Sequence, residues 1–239
     1  MHPDQRPPTA DTLTTLAEGE IEIEGRLPWS SNGTFLVTVR RNGTEQRAVY
    51  KPHRGERHLW DFPEGLFLRE VAAYEVSTAL GWDIVPETIL RTDAPLEAGS
   101  LQRFVDADFA QHYFTLLDDE QWHPQLRRMA VFDMVTNNAD RKGGHCLIAE
   151  GRIWGIDNGL CFHVQPKLRT VIWDFGGEPI HDELRGDLAR LAGEPPPSLE
   201  HLLSGPEIEV LSRRASIVSR LDCFPDPDEE SRPYPWPLV

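Results

Sequence analysis

The chain has 239 residues with 39 acidic against 24 basic side chains, a formal net charge of −15, which disfavours binding to nucleic acid or anionic membrane. A hydrophobic fraction of 39% with 7 tryptophans is enough for one large domain or two packed lobes. No apolar run is long enough to span a bilayer, the N-terminus lacks the apolar core of a secretion signal, and the three cysteines are scattered without CxxC spacing. These features point to a cytoplasmic protein with no membrane insertion and no nucleic-acid partner.

In chain order, residues 1–18 are polar and proline-bearing and read as a flexible segment. Glu20-Ile21-Glu22-Ile23-Glu24 alternates at period two, as a half-exposed strand does. Ser30, Ser31, Asn32 and Gly33 form a small-residue turn into a strand over 34–40, where backbone N–H groups can approach phosphate oxygens. Arg41-Asn42-Gly43 is a hairpin signal, followed by a strand over 46–51 that places Val49 and Lys51 on one face and stops at Pro52. Residues 67–80 carry the periodicity of a helix capped by Gly81, with Glu70 in its first turns, able to point at Lys51. Strands near 85–91 and 100–105 complete an N-terminal unit over 19–105 that ends at Phe104 and Val105.

The C-lobe, 106–222, opens with polar loops and a helix near 124–136; further helices are expected at 179–192 and 206–221 around Pro195-Pro196-Pro197. An extended proline- and acid-rich tail follows over 223–239. Between these lies the densest chemistry. Asn138-Ala139-Asp140-Arg141-Lys142-Gly143 is a polar loop, and Asp157-Asn158-Gly159 ends a second apolar run. Two carboxylates on adjacent strand rims are what phosphoryl transfer requires, one to orient the attacking hydroxyl and one to hold the metal on the phosphates. Alternatively, Asp157-Asn158-Gly159 is only a hairpin turn, Asp140 a turn residue, and Lys142 a solvated side chain. His163 and Trp173, following the second loop, read as core or pocket wall.

Lys51-Pro52, the Arg69–Tyr74 helix segment, Asn138–Arg141 and Ile156–Leu160 resemble the motifs of phosphatidylinositol 3-/4-kinase-related proteins. They are most similar to type II phosphatidylinositol 4-kinases and the small bacterial kinases related to them and to HipA. The resemblance covers roughly residues 20 to 180. It implies an α+β, two-lobed protein-kinase-like fold with ATP between the lobes. It makes Lys51 the phosphate lysine, Glu70 its partner, Asp140 the catalytic aspartate and Asp157 the metal aspartate. In those families an Asn usually stands five residues after the catalytic Asp and ligates the metal; here that position is His145, which implies a preference for Mn²⁺ over Mg²⁺ and a loss of activity in mild acid as the imidazole protonates. The expected site is therefore Asp140, Arg141 and Lys142 for catalysis; Ser31, Asn32, Gly33, Lys51, Glu70, Phe104 and Val105 for ATP; and Asp157 with His145 for metal. The acceptor is a protein or small soluble hydroxyl compound. A nucleotide-binding pseudokinase and a transferase of AMP are the alternatives.

Overall fold

The computed structural model describes residues 9–28, 32–228, 230 and 232–239. Its N-lobe contains α1 (Thr9–Glu18), β1 (Glu20–Arg26), β2 (Phe35–Arg41), β3 (Thr44–Pro52), α2 (Leu66–Ala79), β4 (Thr88–Arg91) and β5 (Gly99–Arg103). The five strands form one antiparallel sheet in the order β1-β2-β3-β5-β4. The β2–β3 hairpin turns at Asn42 and Gly43, both at positive φ, the geometry a tight two-residue turn needs. Period-two alternation then divides the sheet. Val37, Val39, Ala48, Tyr50 and Leu101 face a small core, while Leu36, Val49 and Lys51 face a cleft.

Over residues 9–18 the expected flexible segment is corrected by α1, while 1–8 lie outside the described residues. Leu16 is fully buried in the sheet core, and Arg91 holds the end of the helix by donating to the Leu16 carbonyl at 2.6 Å and the Gly19 carbonyl at 3.1 Å. The strand expected over 85–91 is shortened to Thr88–Arg91, since Asp83 takes a left-handed backbone and Pro86 supplies no N–H for a ladder.

The C-lobe contains α3 (Tyr113–Leu116), α4 (His123–Thr136), β6 (Cys146–Ala149), β7 (Arg152–Gly155), α5 (Asp182–Gly193) and α6 (Gly205–Val218). Leu126, Met129, Ala130 and Val135 of α4 are buried in the main core, which also takes Val76 and Leu80 from α2. That shared core joins the two lobes. β6 and β7 form a separate antiparallel hairpin, and the two candidate aspartates flank it on either side. Among the described residues no helix is long and apolar enough to cross a membrane.

Candidate active site

The N-lobe contributes Lys51 and Glu70. Lys51 pairs with Ser100 across the β3–β5 ladder, and at the next pair Gly99 lies so close that a Cβ there would sit 2.4 Å from the Lys51 carbonyl oxygen. The Lys51 ammonium donates to Glu70 Oε1 and to Asp157 Oδ1, the latter at 2.8 Å. Burial alone favours the neutral amine, but Asp157 and Glu70 together hold Lys51 above the ordinary lysine value. The same ammonium holds the Asp157 carboxyl well below the usual carboxylate range. Asp157 takes a left-handed backbone, φ 58°, which aims its carboxylate into the cleft. The second oxygen of Glu70 accepts the Asn158 N–H at 2.9 Å, so one buried side chain ties the N-lobe helix to the Asp157 turn.

The C-lobe contributes the loop after α4, which ends at Asn137 in the left-handed conformation. Asn138 Oδ1 accepts the Asp140 N–H at 2.9 Å, and its amide donates to Asp133 at 3.1 Å. Asp140 faces the cleft, where Lys142 Nζ lies 3.1 Å from its carboxylate. Burial raises the Asp140 carboxyl, with Lys142 opposing that rise.

Arg141, expected among the catalytic groups, does not reach the cleft. Its side chain is fully buried and donates to Asp133 at 3.0 and 3.1 Å, to the Ile156 carbonyl at 2.8 Å and to Asn158 Oδ1 at 2.7 Å. Thr170 donates to the same Asp133 at 3.0 Å. Arg141 thus braces the two aspartate loops against each other from below. Asp133 was invisible as a site-supporting residue because an acid inside a helix reads as solvated; its only signal is its place within the apolar run Met129–Val135, eight positions before Arg141.

His145 lies 3.4 Å from Asp157 Oδ2 through Nε2, so it is at the expected place. Burial pushes its imidazole down to about 4, which corrects the expected loss of activity in mild acid: the ring stays neutral there. Its Nδ1 faces the Lys142 N–H at 3.4 Å. In the tautomer that accepts this bond, Nε2 carries the proton and donates toward Asp157; ligation of a metal through Nε2 requires the opposite tautomer. Among the described residues no group of three or more His, Cys, Asp and Glu side chains is placed to hold a metal. The donor set therefore fits a hard ion held by Asp157 and completed by phosphate oxygens and water, not a cage made by the protein alone.

The cleft encloses about 850 Å³. Leu36 and Val49 of the N-lobe sheet line it together with Leu147 and Ile156 of the C-lobe and with Phe104 and Val105. The Phe104 N–H is taken by the Arg47 carbonyl at 3.0 Å, and the Val105 carbonyl accepts from Ala107 at 3.0 Å. The N–H of Val105, in the hinge between the lobes, has no hydrogen-bond partner among the described residues. Arg47, which the sequence did not single out, lies over the Phe104 ring at 4.1 Å from its centroid.

The glycine turn is used differently from expectation. Gly33 donates its N–H to the Gly55 carbonyl at 2.7 Å, and Asn32 Oδ1 accepts from Arg57 N–H at 3.0 Å. Both residues line the cleft, but those groups bind the turn to the β3–α2 connection instead of facing a phosphate. Ser31 lies outside the described residues, as does Ser30. His163 stacks on Phe62 at 5.1 Å, and Trp173 donates to the Pro233 carbonyl at 3.2 Å, so both serve as wall and support.

This fold is kinase-like, mixed α+β with a cleft between two lobes. Superposition on the Golgi casein kinase with Mn/ADP bound covers 97% of this chain and 80% of that one, with a TM-score of 0.57 at 13% identity. Hydra Fam20 with sugar covers 88% and 86%, with a TM-score of 0.53 at 13% identity. The Helicobacter pylori proinflammatory kinase CtkA covers 87% and 94%, with a TM-score of 0.50 at 14% identity. The chain belongs to the family of Protein Rv2133c of Mycobacterium tuberculosis, to which it is 41% identical over 266 aligned positions covering 95% of each. No protein-family model matches it.

Proposed function

We propose that the protein is an ATP-dependent phosphotransferase acting on a protein or small soluble hydroxyl compound. One observation carries the reading: Lys51, braced by Glu70, reaches Asp157, while Asp140 faces the same cleft from the neighbouring loop. Lys51 would bind the α- and β-phosphates, and the Val105 N–H the adenine. Asp157 would hold Mg²⁺ or Mn²⁺, which when bound neutralises charge on the β- and γ-phosphates. Asp140 accepts the proton of the acceptor hydroxyl, and Lys142 stands beside it to counter charge on the transferred group. His145 acts on Asp157 as a hydrogen-bond donor that fixes its carboxylate. The Mn and ADP held by the Golgi casein kinase of the same fold support a nucleotide and a divalent ion here. The motif resemblance to phosphatidylinositol 3-/4-kinase and HipA-type proteins supports the same chemistry, while the net charge of −15 argues against a lipid acceptor.

A second reading, a nucleotide sensor without turnover, is favoured by His145 standing where a metal-ligating Asn is usual. The test is ATP turnover and melting temperature with Mg²⁺ or Mn²⁺ for the native chain, Asp140→Ala and Asp157→Ala. The phosphotransferase reading expects turnover lost in both variants, with ATP-dependent stabilisation kept in Asp140→Ala. Stabilisation without turnover in the native chain identifies the sensor, and the absence of both removes either reading.

A further inference from the structure

The chain beyond α6 does not leave the molecule. It runs back along the C-lobe, where Phe224 donates to the Glu178 carbonyl at 2.9 Å and Gly177 to the Phe224 carbonyl at 2.9 Å. The last segment then meets the Asp140 loop and the segment around Thr170 that is bridged to it. The Pro233 carbonyl accepts the Thr170 N–H at 3.0 Å and the Trp173 indole N–H at 3.2 Å. The Leu238 carbonyl accepts the Gly143 N–H at 2.7 Å. Pro233 and Pro235 are buried, and Gly143 is enclosed so closely that a Cβ would stand 3.2 Å from the Phe114 ring and 3.3 Å from Val239.

Both amides so captured belong to residues that set Asp140. Gly143 follows it by three positions in the same loop. Thr170 is bridged to Arg141, whose N–H donates to the Arg169 carbonyl at 3.0 Å, and its hydroxyl holds Asp133. Nothing else in the described chain receives the Gly143 N–H. Without the tail that donor and the neighbouring Phe114 surface turn to water, and the loop loses one of its two flanks.

We propose that residues 232–239 are a positioning strap that holds the Asp140 loop in place; its effect on turnover rests on the phosphotransferase reading. The strap touches neither Lys51 nor the hinge, so it acts on the chemical step and not on nucleotide capture. A displacement of the loop by about 1 Å lowers a rate by on the order of 10²-fold.

The experiment compares the full chain with a chain ending at Ser231 and with Val239→Asp, following amide hydrogen exchange at Gly143 and Thr170 together with kcat and KM for ATP. The expected result is faster exchange at Gly143 in both variants, with Thr170 following in the shortened chain. kcat falls on the order of 10²-fold while KM for ATP is unchanged, and a synthetic peptide of residues 232–239 restores the shortened chain. Unchanged Gly143 exchange, or faster exchange with kcat unaltered, overturns the proposal. If the shortened chain does not fold, Val239→Asp decides on the same readouts. If the full chain shows no turnover, the phosphotransferase reading has failed and the strap stands or falls on Gly143 exchange alone.

Discussion

Glu70 and Asn158 are joined by a 2.9 Å hydrogen bond from the Asn158 N–H to Oε2, while the other oxygen of Glu70 holds Lys51. The carboxylate is 3% exposed, so both bonds act in a poorly solvated place. Glu70→Ala leaves a buried N–H and an ammonium short of partners, a loss of roughly 1–3 kcal/mol. The expected outcome is a lower urea midpoint and weaker ATP binding together, whereas Glu70→Gln keeps more stability than affinity. Urea unfolding and ATP titration of both variants check this.

Arg141 and Asp133 are a buried pair whose partners cannot reach water. Arg141→Ala strands the Asp133 carboxylate, and the expected destabilisation is about 3–5 kcal/mol. Joint replacement, Asp133→Leu with Arg141→Met, removes both charges and recovers a large part of that stability. Denaturant midpoints of the single and double variants measure the difference.

On the proposed phosphotransferase reading, the pH dependence of turnover follows from Asp140. It accepts a proton only as the carboxylate, and burial raises its carboxyl above the ordinary value of 3.8. Acid therefore removes activity sooner than for an exposed aspartate. Lys142→Ala deletes the cation that opposes this rise, so the acid limb of kcat moves further up in pH. His145, buried and held down to about 4, contributes nothing to that limb above about pH 5. A kcat profile of native chain and Lys142→Ala tests the order.

Gly99→Ala should separate support from chemistry. The added Cβ would meet the Lys51 carbonyl oxygen at 2.4 Å and Pro52 Cα at 2.7 Å, both backbone atoms that yield only if β3 shifts. A cost of about 1–3 kcal/mol is expected. Because the displaced strand end carries Lys51, KM for ATP rises as well, read by initial rates at varied ATP.

The meeting of Lys51, Glu70, Asp140 and Asp157 in one cleft was legible because each stands at the edge of an element whose periodicity is clear. Arg141 was misread because an Asp-Arg pair has the same appearance whether the arginine faces solvent or the core; only Asp133, 3.0 Å away in the fold, distinguishes them. Helix α1 was missed since its threonines have weak helical preference and tertiary contacts from Leu16 and Arg91 hold it in place. The Gly33 turn shows the limit of motif reading, because a small-residue loop says nothing about which acceptor its N–H groups find.

The left-handed backbone of Asp157 makes its position a trap for substitution. Glycine and asparagine adopt that conformation at least cost, and neither carries a charge. Glutamate keeps the charge but lengthens the arm and fits the backbone less well. Every route that relaxes the turn also discharges the mouth of the cleft and leaves Lys51 to Glu70 alone, so relief of the backbone and retention of the native carboxylate are mutually exclusive.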